Sequence, residues 1–387
     1  MVAATIDTVN MVSSSLALCH EWLTTYGGSE QVAQRIAQAL GIHDIFVFAS
    51  RPGLRNELFP NDDVKDVGGI LASRASRSWS PFLPLMPFAW RRVDLSGYEL
   101  VVTSSHACTN SIRPPQNAVL VSYCHTPMRY AWDWRSEIKR VPSLLRPIWP
   151  FAAARLRKGD LRRSKRVDLF IANSLFVAGR IRKYYGRGSI VMYPPIDTEY
   201  WSPGGTKGDY FLWVGRTVPY KKPEAVIEAA NLAGSKLIVA GSGPMLDELM
   251  RLAGPTVTFE PSPSRDRLRD LYRSARALVF AGIEDFGMTM AEAQACGIPV
   301  IAYAAGGALE IVKDGCGTLV GDDSAESFAE SMRSFQDDFD RAVIVQNAQR
   351  FDAARFDTQI RELIDHAVNR RWQEINRRPE WFPKEAG

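Results

Sequence analysis

Short apolar runs that alternate with amphipathic helical stretches constrain this chain more than any other feature. The segments SLALCHEW (15–22), DIFVFAS (44–50), ELVVTSS (99–105), AVLVSYC (118–124) and DLFIANS (168–174) are too short for buried helices and are apolar on both faces. YFLWVGR (210–216), KLIVAGSG (236–243), ALVFAG (277–282) and PVIAYAAGG (299–307) repeat the pattern further on. A strand that is apolar on both faces needs cover on both, and a helix between consecutive strands supplies it, so parallel α/β sheets are expected. The segment YPPIDTEYWSPGGTKGD (193–209) breaks both periodicities with prolines and glycines and is expected to separate two domains. The expected organisation is a first domain over 1–200, a second over 201–365, and a C-terminal helix and tail over 366–387 packing back on the first.

With 387 residues, 46% of them hydrophobic, the chain can fill two full cores. Its cysteines (Cys19, Cys108, Cys124, Cys296, Cys316) lack the paired spacing of a zinc site or a disulfide framework, which points to a reducing compartment. The N-terminus lacks the flanks of a signal peptide, and no run approaches the ~20 apolar residues of a membrane span. Net charge is only +4, yet the stretch 151–187 is strongly basic around Arg162, Arg163 and Arg166, with Asp160 and Asp168 alone against it. Upstream, RSWSPFLPLMPFAWRR (77–92) sets Trp79, Phe82 and Trp90 beside arginines. Apolar residues beside cations suit an anionic membrane surface or a lipid-phosphate acceptor, the alternative being a core-facing segment followed by a solvated helix face. Nucleic acid is not expected as a partner, because no nucleic-acid motif accompanies the basic stretch.

Ligands of open parallel sheets bind beyond the carboxyl ends of the strands, so the chemistry is expected in the loops that follow them. After the first run, Gly27 and Gly28 precede an amphipathic helix in YGGSEQVAQRIAQAL, a turn that lets backbone N–H groups approach a phosphate. It matches neither the dinucleotide fingerprint nor a P-loop. At the end of YFLWVGR and in the turn beyond it stand Arg216 and Lys221, two cations suited to gripping a diphosphate and neutralising the charge that develops as it leaves. Beyond ALVFAG, the stretch IEDFGMTMAEAQACG places Glu284 in a loop, Gly287 at a bend and Glu292 inside a helix expected to begin near Met288. The helix N-terminus favours an anionic ligand. Glu284 suits sugar hydroxyls, and the two oxygens of Glu292 suit the paired hydroxyls of a ribose. An acidic residue complementing the helix dipole, plus an ordinary surface glutamate, is the alternative.

Glu284 and Glu292, with seven residues between them, downstream of GRTVPYKK and followed by ACGIPVIAYAAGGALEIVKDG, resemble the glutamate motif of the retaining GT4-type glycosyltransferases. YGGSE, YCHTPMRYAWD, IANSLFVAGRIRKYYG and VMYPPID stand in the order that family shows, so the resemblance runs from about residue 12 to residue 350. It implies the GT-B fold: two Rossmann-like, doubly wound parallel-sheet domains facing a central cleft, the first binding acceptor and the second nucleotide sugar. Carried over residue by residue, Gly27 and Gly28 border the donor diphosphate, His125 of CHTP contacts the transferred sugar, and Arg216 with Lys221, or its neighbour Lys222, binds the diphosphate. Glu284 holds sugar hydroxyls, Glu292 the ribose, and Phe286, Gly287, Met288 and Thr289 supply backbone contacts. Asp285 and Thr289 depart from the commoner family form, which has glycine and proline there. His20 and His106 also follow expected strands and are weaker candidates.

The activity so implied is hexose transfer with retained anomeric configuration, through a loosely bonded, oxocarbenium-like transition state served by positioning and electrostatics. No carboxylate stands out as the nucleophile a retaining hydrolase would use. No metal is expected: the Asp-x-Asp spacing of metal-dependent transferases occurs only at Asp338 and Asp340, in a segment that reads as a solvated helix face. CHTPMRYAWD resembles most closely the bacterial mannosyltransferases that build polysaccharide repeat units on lipid carriers. That implies GDP-mannose as donor, no further cofactor, a polyprenyl-diphosphate-linked glycan as acceptor, and a cytoplasmic protein held peripherally on the inner face of the bacterial plasma membrane. A UDP-sugar-dependent transferase of the same fold, a sugar-nucleotide epimerase and a non-catalytic sugar-nucleotide-binding protein are the alternatives. An ATP- or GTP-hydrolysing switch is disfavoured by the absence of G-x-x-x-x-G-K-[ST].

Overall fold

The computed structural model describes residues 15–77, 79–116, 118–134, 146–147 and 149–369; the expected tail from residue 370 on and the N-terminal residues 1–14 lie outside them. The first sheet contains β1 (Leu16–His20), β2 (Asp44–Val47), β3 (Asp63–Asp66), β4 (Leu100–Ser105), β5 (Val119–Cys124), β6 (Leu169–Ala172) and β7 (Ile190–Val191). The second contains β8 (Phe211–Val214), β9 (Leu237–Ala240), β10 (Val257–Glu260), β11 (Leu278–Phe280), β12 (Val300–Tyr303) and β13 (Gly317–Val320). Their orders are β3-β2-β1-β4-β5-β6-β7 and β10-β9-β8-β11-β12-β13. The pairings among β1 to β5, and those throughout the second sheet, are parallel. Both sheets are doubly wound, as expected.

The central strands are covered on both faces, and β4 is buried along its whole length. Helix α1 (Gly28–Leu40) shows how the cover is built: Val32, Ala33, Ile36, Ala37 and Leu40 recur at helical spacing and face the sheet. Each large aliphatic side chain so buried contributes about 2 kcal/mol. Gly41, in the left-handed region, ends the helix with its N–H on the Ala37 carbonyl. The strands not anticipated from the sequence, β3, β7, β10 and β13, are the outermost of each sheet.

The described residues form two compact units: those up to 171, 181–190 and those from 360 on in one, 172–180 and 191–359 in the other. Two helices therefore contribute to both, Leu175–Tyr185 (α2) and Ala353–Asn369 (α3). In the first unit Arg361 Nε of α3 donates to the Ala39 carbonyl at the end of α1, at 2.7 Å. In the second, the start of α2 is fixed by a buried carboxylate, Glu310, which accepts from the backbone N–H of Leu175 (2.7 Å) and Phe176 (3.0 Å).

In each sheet the strand order reverses once, between β1 and β4 in the first and between β8 and β11 in the second. Loops leaving neighbouring strands there diverge to opposite faces and open a crevice at the carboxyl ends. Both crevices carry the unusual polar chemistry of the molecule.

Candidate functional site

In the first unit His20 ends β1 directly opposite Ser104 of β4, and the shared register brings His20 Nδ1 to 3.0 Å from Ser104 Oγ. The same hydroxyl lies 2.8 Å from Nε2 of His125, the residue after β5. On the other side of the His20 ring, Nε2 faces Glu30 Oε1 of α1 at 3.7 Å, and Glu30 Oε2 accepts from Ser29 Oγ. Burial alone would raise the Glu30 carboxyl, but His20 and His106 beside it bring it below its ordinary value. Burial pushes His125 well below its ordinary value, and His106 and His20 act in the same direction, so its imidazole is neutral at physiological pH.

Glu21, adjacent to His20 and fully buried, was not singled out from the sequence. Its Oε1 accepts from the backbone N–H of Ala107 (2.7 Å), Cys108 (2.7 Å) and Thr109 (3.0 Å) and from Thr109 Oγ1 (2.9 Å). This carboxylate fixes the loop after β4 and with it His106, whose ring stands 6.2 Å from His20 and 6.0 Å from His125 between centroids. The two weaker histidine candidates thus gather around the stronger one. Gly27 is the N-cap of α1 and Gly28 its first residue, so no side chain caps the first-turn N–H groups.

In the second unit the turn after β8 ends in a 3-10 helix, Pro219–Lys221, and Lys221 Nζ sits 2.7 Å from Glu284 Oε1 in the loop after β11. Gly282 permits this approach: a Cβ there would lie 2.6 Å from the Lys221 Cα and 2.7 Å from the Tyr220 carbonyl oxygen. Burial alone would lower Lys221, but Glu284 and Tyr220 lift it above its ordinary value, so it is a firm cation. Lys222 takes the left-handed conformation (φ 49°) at the start of helix Pro223–Ala233 and pairs with Asp323. The ambiguity between the two lysines is therefore one of direction: Lys221 points to Glu284, Lys222 to another carboxylate. Arg216 is exposed in the same turn.

Helix α4 (Met288–Ala295) begins where the sequence suggested, with Gly287 at φ 105° as its N-cap; a Cβ there would lie 2.1 Å from Met290 Cε. Glu292 is buried, accepts from Tyr272 Oη at 3.0 Å, and is pushed up to about 7 by burial, against the pull of Tyr272, Arg265 and Lys221. The Phe286 ring packs in the core, 5.2 Å from Phe351 and 5.6 Å from Tyr193 between centroids, so Phe286 has only its backbone to offer a ligand. Asp285, where the family form has glycine, has its carbonyl held by Ser174 Oγ at 2.6 Å and its carboxylate 3.9 Å from Arg180 Nε.

The surface expected over 77–92 and 155–187 needs correction. Trp90 is wholly buried and cannot insert into a lipid surface. Arg163 is buried on Asp160 at 3.6 Å, which also accepts from Trp132 Nε1 and Tyr185 Oη, so it is a structural cation. Trp79 stacks on Trp22 at 3.9 Å, and Trp22 stands edge-on to His106 at 4.8 Å, which sets Trp79 at the β1 crevice. Phe82 is half-buried, whereas Leu85 and Phe88 are exposed and Arg91 lies over the Phe88 ring at 5.8 Å. Arg162 and Arg166 are exposed. Arg91 and Arg166 are held below their ordinary value by desolvation and by neighbouring arginines, Arg113 among them, which marks one basic cluster. Asp340 caps the helix Arg341–Ala348 through the Ala342 N–H, a structural use of half the Asp-x-Asp pair. No helix among the described residues is long and apolar enough to cross a membrane, and no cluster of His, Cys, Asp and Glu among them is arranged to hold a metal.

Residues 26–200 match the family model described as Glycosyltransferase Family 4, and residues 202–351 that described as Glycosyl transferases group 1. A protein of Nocardiopsis dassonvillei named D-inositol 3-phosphate glycosyltransferase is 29% identical over 344 residues, covering 78% of this chain and 79% of that one. Its namesake in Mycolicibacterium paratuberculosis is 36% identical over 166 residues, but the match spans only 38% of that protein's length. Among solved structures, Anabaena HepE in complex with UDP and glucose superposes with a TM-score of 0.65 at 19% identity over 91% of this chain and 100% of that one. Sucrose-phosphate synthase from Thermosynechococcus elongatus gives 0.70 at 19% identity over 92% and 100%.

Proposed function

The chain belongs to the GT4-type glycosyltransferases of GT-B fold, and on that premise we propose that it transfers a hexose, with retention, from a nucleoside diphosphate sugar to a lipid-linked oligosaccharide. The observation that carries the reading is the Lys221–Glu284 pair at the β8/β11 crevice. An ammonium has three donors: one engages Glu284 and leaves others for phosphate oxygens, while Glu284 keeps lone pairs for sugar hydroxyls. The pair thereby sets the diphosphate-binding and sugar-binding groups in fixed relation before a donor arrives, which is preorganisation of the kind that lowers a barrier. Arg216 adds a second cation from the same turn, and the N-terminus of α4 adds oriented N–H groups. These charges suit a donor bound without a metal. Glu292 and Tyr272 form the inner wall suited to the ribose.

Mannose from GDP-mannose is the donor we favour, on the likeness of CHTPMRYAWD to polysaccharide mannosyltransferases. A UDP-sugar is the second reading, favoured by the UDP bound in HepE; the inositol phosphate in the relatives' name makes a phosphorylated acceptor a further arm of the test. The Trp79–Trp22 stack beside His106 offers an aromatic face for an acceptor sugar. A peripheral position on the inner face of a bacterial plasma membrane fits the basic cluster of Arg162 and Arg166 beside exposed Leu85 and Phe88.

The deciding experiment incubates the protein with GDP-mannose, UDP-glucose and UDP-N-acetylglucosamine, each with a polyprenyl-diphosphate-linked glycan, inositol 3-phosphate or no acceptor. Product anomeric configuration is read by NMR. Transfer with retention from GDP-mannose to the lipid-linked acceptor is the expected outcome; donor epimerisation without acceptor, or binding without turnover, refutes the proposal.

A further inference from the structure

Three elements of the first unit meet and bring arginines together. The 3-10 helix Thr109–Ser111, which continues the loop after β4, is packed by the helix Met86–Trp90 and by the helix Trp149–Ser164. Arg91 ends the first of these helices, and Arg162 and Arg163 lie in the last turn of the second. Arg113 stands two residues past the 3-10 helix, and Arg166 Nη2 lies 3.5 Å from the Asn110 carbonyl oxygen within it. Besides desolvation, the charged groups felt by Arg91 and by Arg166 are all arginines, Arg113 and Arg163 acting on both. Asp160, beside Arg163, is already engaged by Trp132 and Tyr185. A guanidinium does not shed its proton, so such a gathering repels itself until an anion offsets it.

Buried donors within this cluster lack acceptors. Arg163 is 5% exposed, yet its Nε and Nη2 make no hydrogen bond, Asp160 Oδ1 standing 3.6 Å off. Trp90 Nε1, next to Arg91, and Ser111 Oγ, two residues before Arg113, are buried and unpartnered as well. Guanidinium and indole can only donate, so these groups call for oxygens that the fold does not supply.

We propose that Arg91, Arg113 and Arg166, set about the buried Arg163, bind the diphosphate of the lipid-linked acceptor, with Leu85 and Phe88 taking the start of its polyprenyl chain. The identity of the ligand rests on the proposed acceptor; the existence of an anion site does not. A diphosphate presents several anionic oxygens within a few bonds and suits several guanidiniums at once. The apolar side is at hand: Leu85 and Phe88 are exposed at the helix that Arg91 ends, and Arg91 lies over the Phe88 ring at 5.8 Å. So is the saccharide side. His106, beside the Trp79–Trp22 face, and Arg113 are seven residues apart on one loop, a span of at most about 25 Å, so one lipid-linked saccharide can reach both.

Inorganic pyrophosphate, titrated into the full-length protein by calorimetry, reports the site without turnover. Lys221→Ala is the background, because it removes the diphosphate grip proposed in the second unit. On it pyrophosphate is expected to bind, and Arg91→Gln and Arg113→Gln should each weaken binding about tenfold, the worth of one charge-assisted hydrogen bond. Arg113 is exposed and carries the test if Arg91→Gln does not fold. Arg155→Gln and Lys158→Gln, which remove exposed charges from the helix Trp149–Ser164, should change it less than about twofold. No binding, or equal weakening by these controls, overturns the site. A second arm uses phosphatidylcholine vesicles carrying a polyprenyl-diphosphate-linked glycan and phosphatidylglycerol vesicles without it. In the otherwise wild-type protein, Arg113→Gln should lose about tenfold on the first and no more than Arg155→Gln loses on the second. It should also raise KM for the lipid-linked acceptor while sparing donor KM. Equal losses on both vesicles make this a headgroup site and overturn the acceptor assignment. Should the wild type transfer no sugar, the proposed function fails while the pyrophosphate titration still decides the anion site.

Discussion

Lys221 and Glu284 meet at 2.7 Å across two loops that leave neighbouring strands β8 and β11, and only the bare backbone of Gly282 lets those loops come so close. Each side chain is 14% exposed, so the pair is only weakly screened by solvent. Lys221→Ala and Glu284→Ala should each lower kcat/KM, and the double variant should lose less than the two single losses combined. A coupling of about 1–3 kcal/mol is expected from the double-mutant cycle. Strict additivity would show that the two side chains act apart.

Glu292 should make both donor binding and stability depend on pH. Its carboxyl is raised from 4.5 to about 7, so between those values the folded protein binds more protons than the unfolded one, and stability falls as pH rises. Glu292→Gln removes that loss and should stabilise the fold by about 3 kcal/mol at pH 8 and little at pH 4.5. Donor affinity in the wild type should strengthen as pH rises through about 7, where the carboxylate proposed to accept ribose hydroxyls forms. Denaturant unfolding and donor titration at several pH values check both, and a gain independent of pH would count against the assignment.

Activity should survive chelation. Lys221, Arg216 and the α4 N-terminus carry charge of the kind a metal supplies elsewhere, so excess EDTA is expected to change the transfer rate less than about twofold. An absolute requirement for added manganese or magnesium contradicts this.

Reversal of Arg162 and Arg166 to glutamate should weaken sedimentation with anionic vesicles, each basic side chain contributing about 1 kcal/mol near the surface. Phe88→Ser should remove the part of the binding that high salt leaves behind. Arg163→Glu belongs to another class: it sets a second carboxylate against buried Asp160 and should unfold the first unit, at a cost of about 3–5 kcal/mol. Wild-type vesicle binding by the Arg162/Arg166 reversal at physiological salt excludes the membrane surface.

The sequence made the inner strands legible and the outer ones illegible for a single reason. β4 and β8 are buried on both faces and read as continuous apolar runs, whereas the edge strand β3 is DVKD, with mostly exposed side chains, and carries no such run. Within the site, spacing along the chain located Lys221, Glu284 and Glu292, because each follows a recognisable strand. It did not give the Lys221–Glu284 contact, which depends on strand order, or the chain from Glu30 to His125, which depends on the register of His20 against Ser104. Trp90 was misjudged because an aromatic beside arginines has the same composition whether its ring faces lipid or the core. Glu21 left no local mark, since its partners, mostly backbone groups, lie more than eighty residues further on.

The Glu310 carboxylate that grips the start of α2 bears on how such enzymes exchange parts. A chimera cut at the proline- and glycine-rich segment 193–209 would take the second sheet without residues 172–180. Glu310, whose buried carboxyl is already raised by desolvation, would then depend on a foreign segment to place two backbone N–H groups where those of Leu175 and Phe176 satisfy it. Asp285, in the loop beside Glu284, would lose its Ser174 anchor in the same stroke. The second sheet therefore travels intact between such chains only when a nine-residue passenger from near the end of the first half travels with it, a requirement the visible joint does not betray.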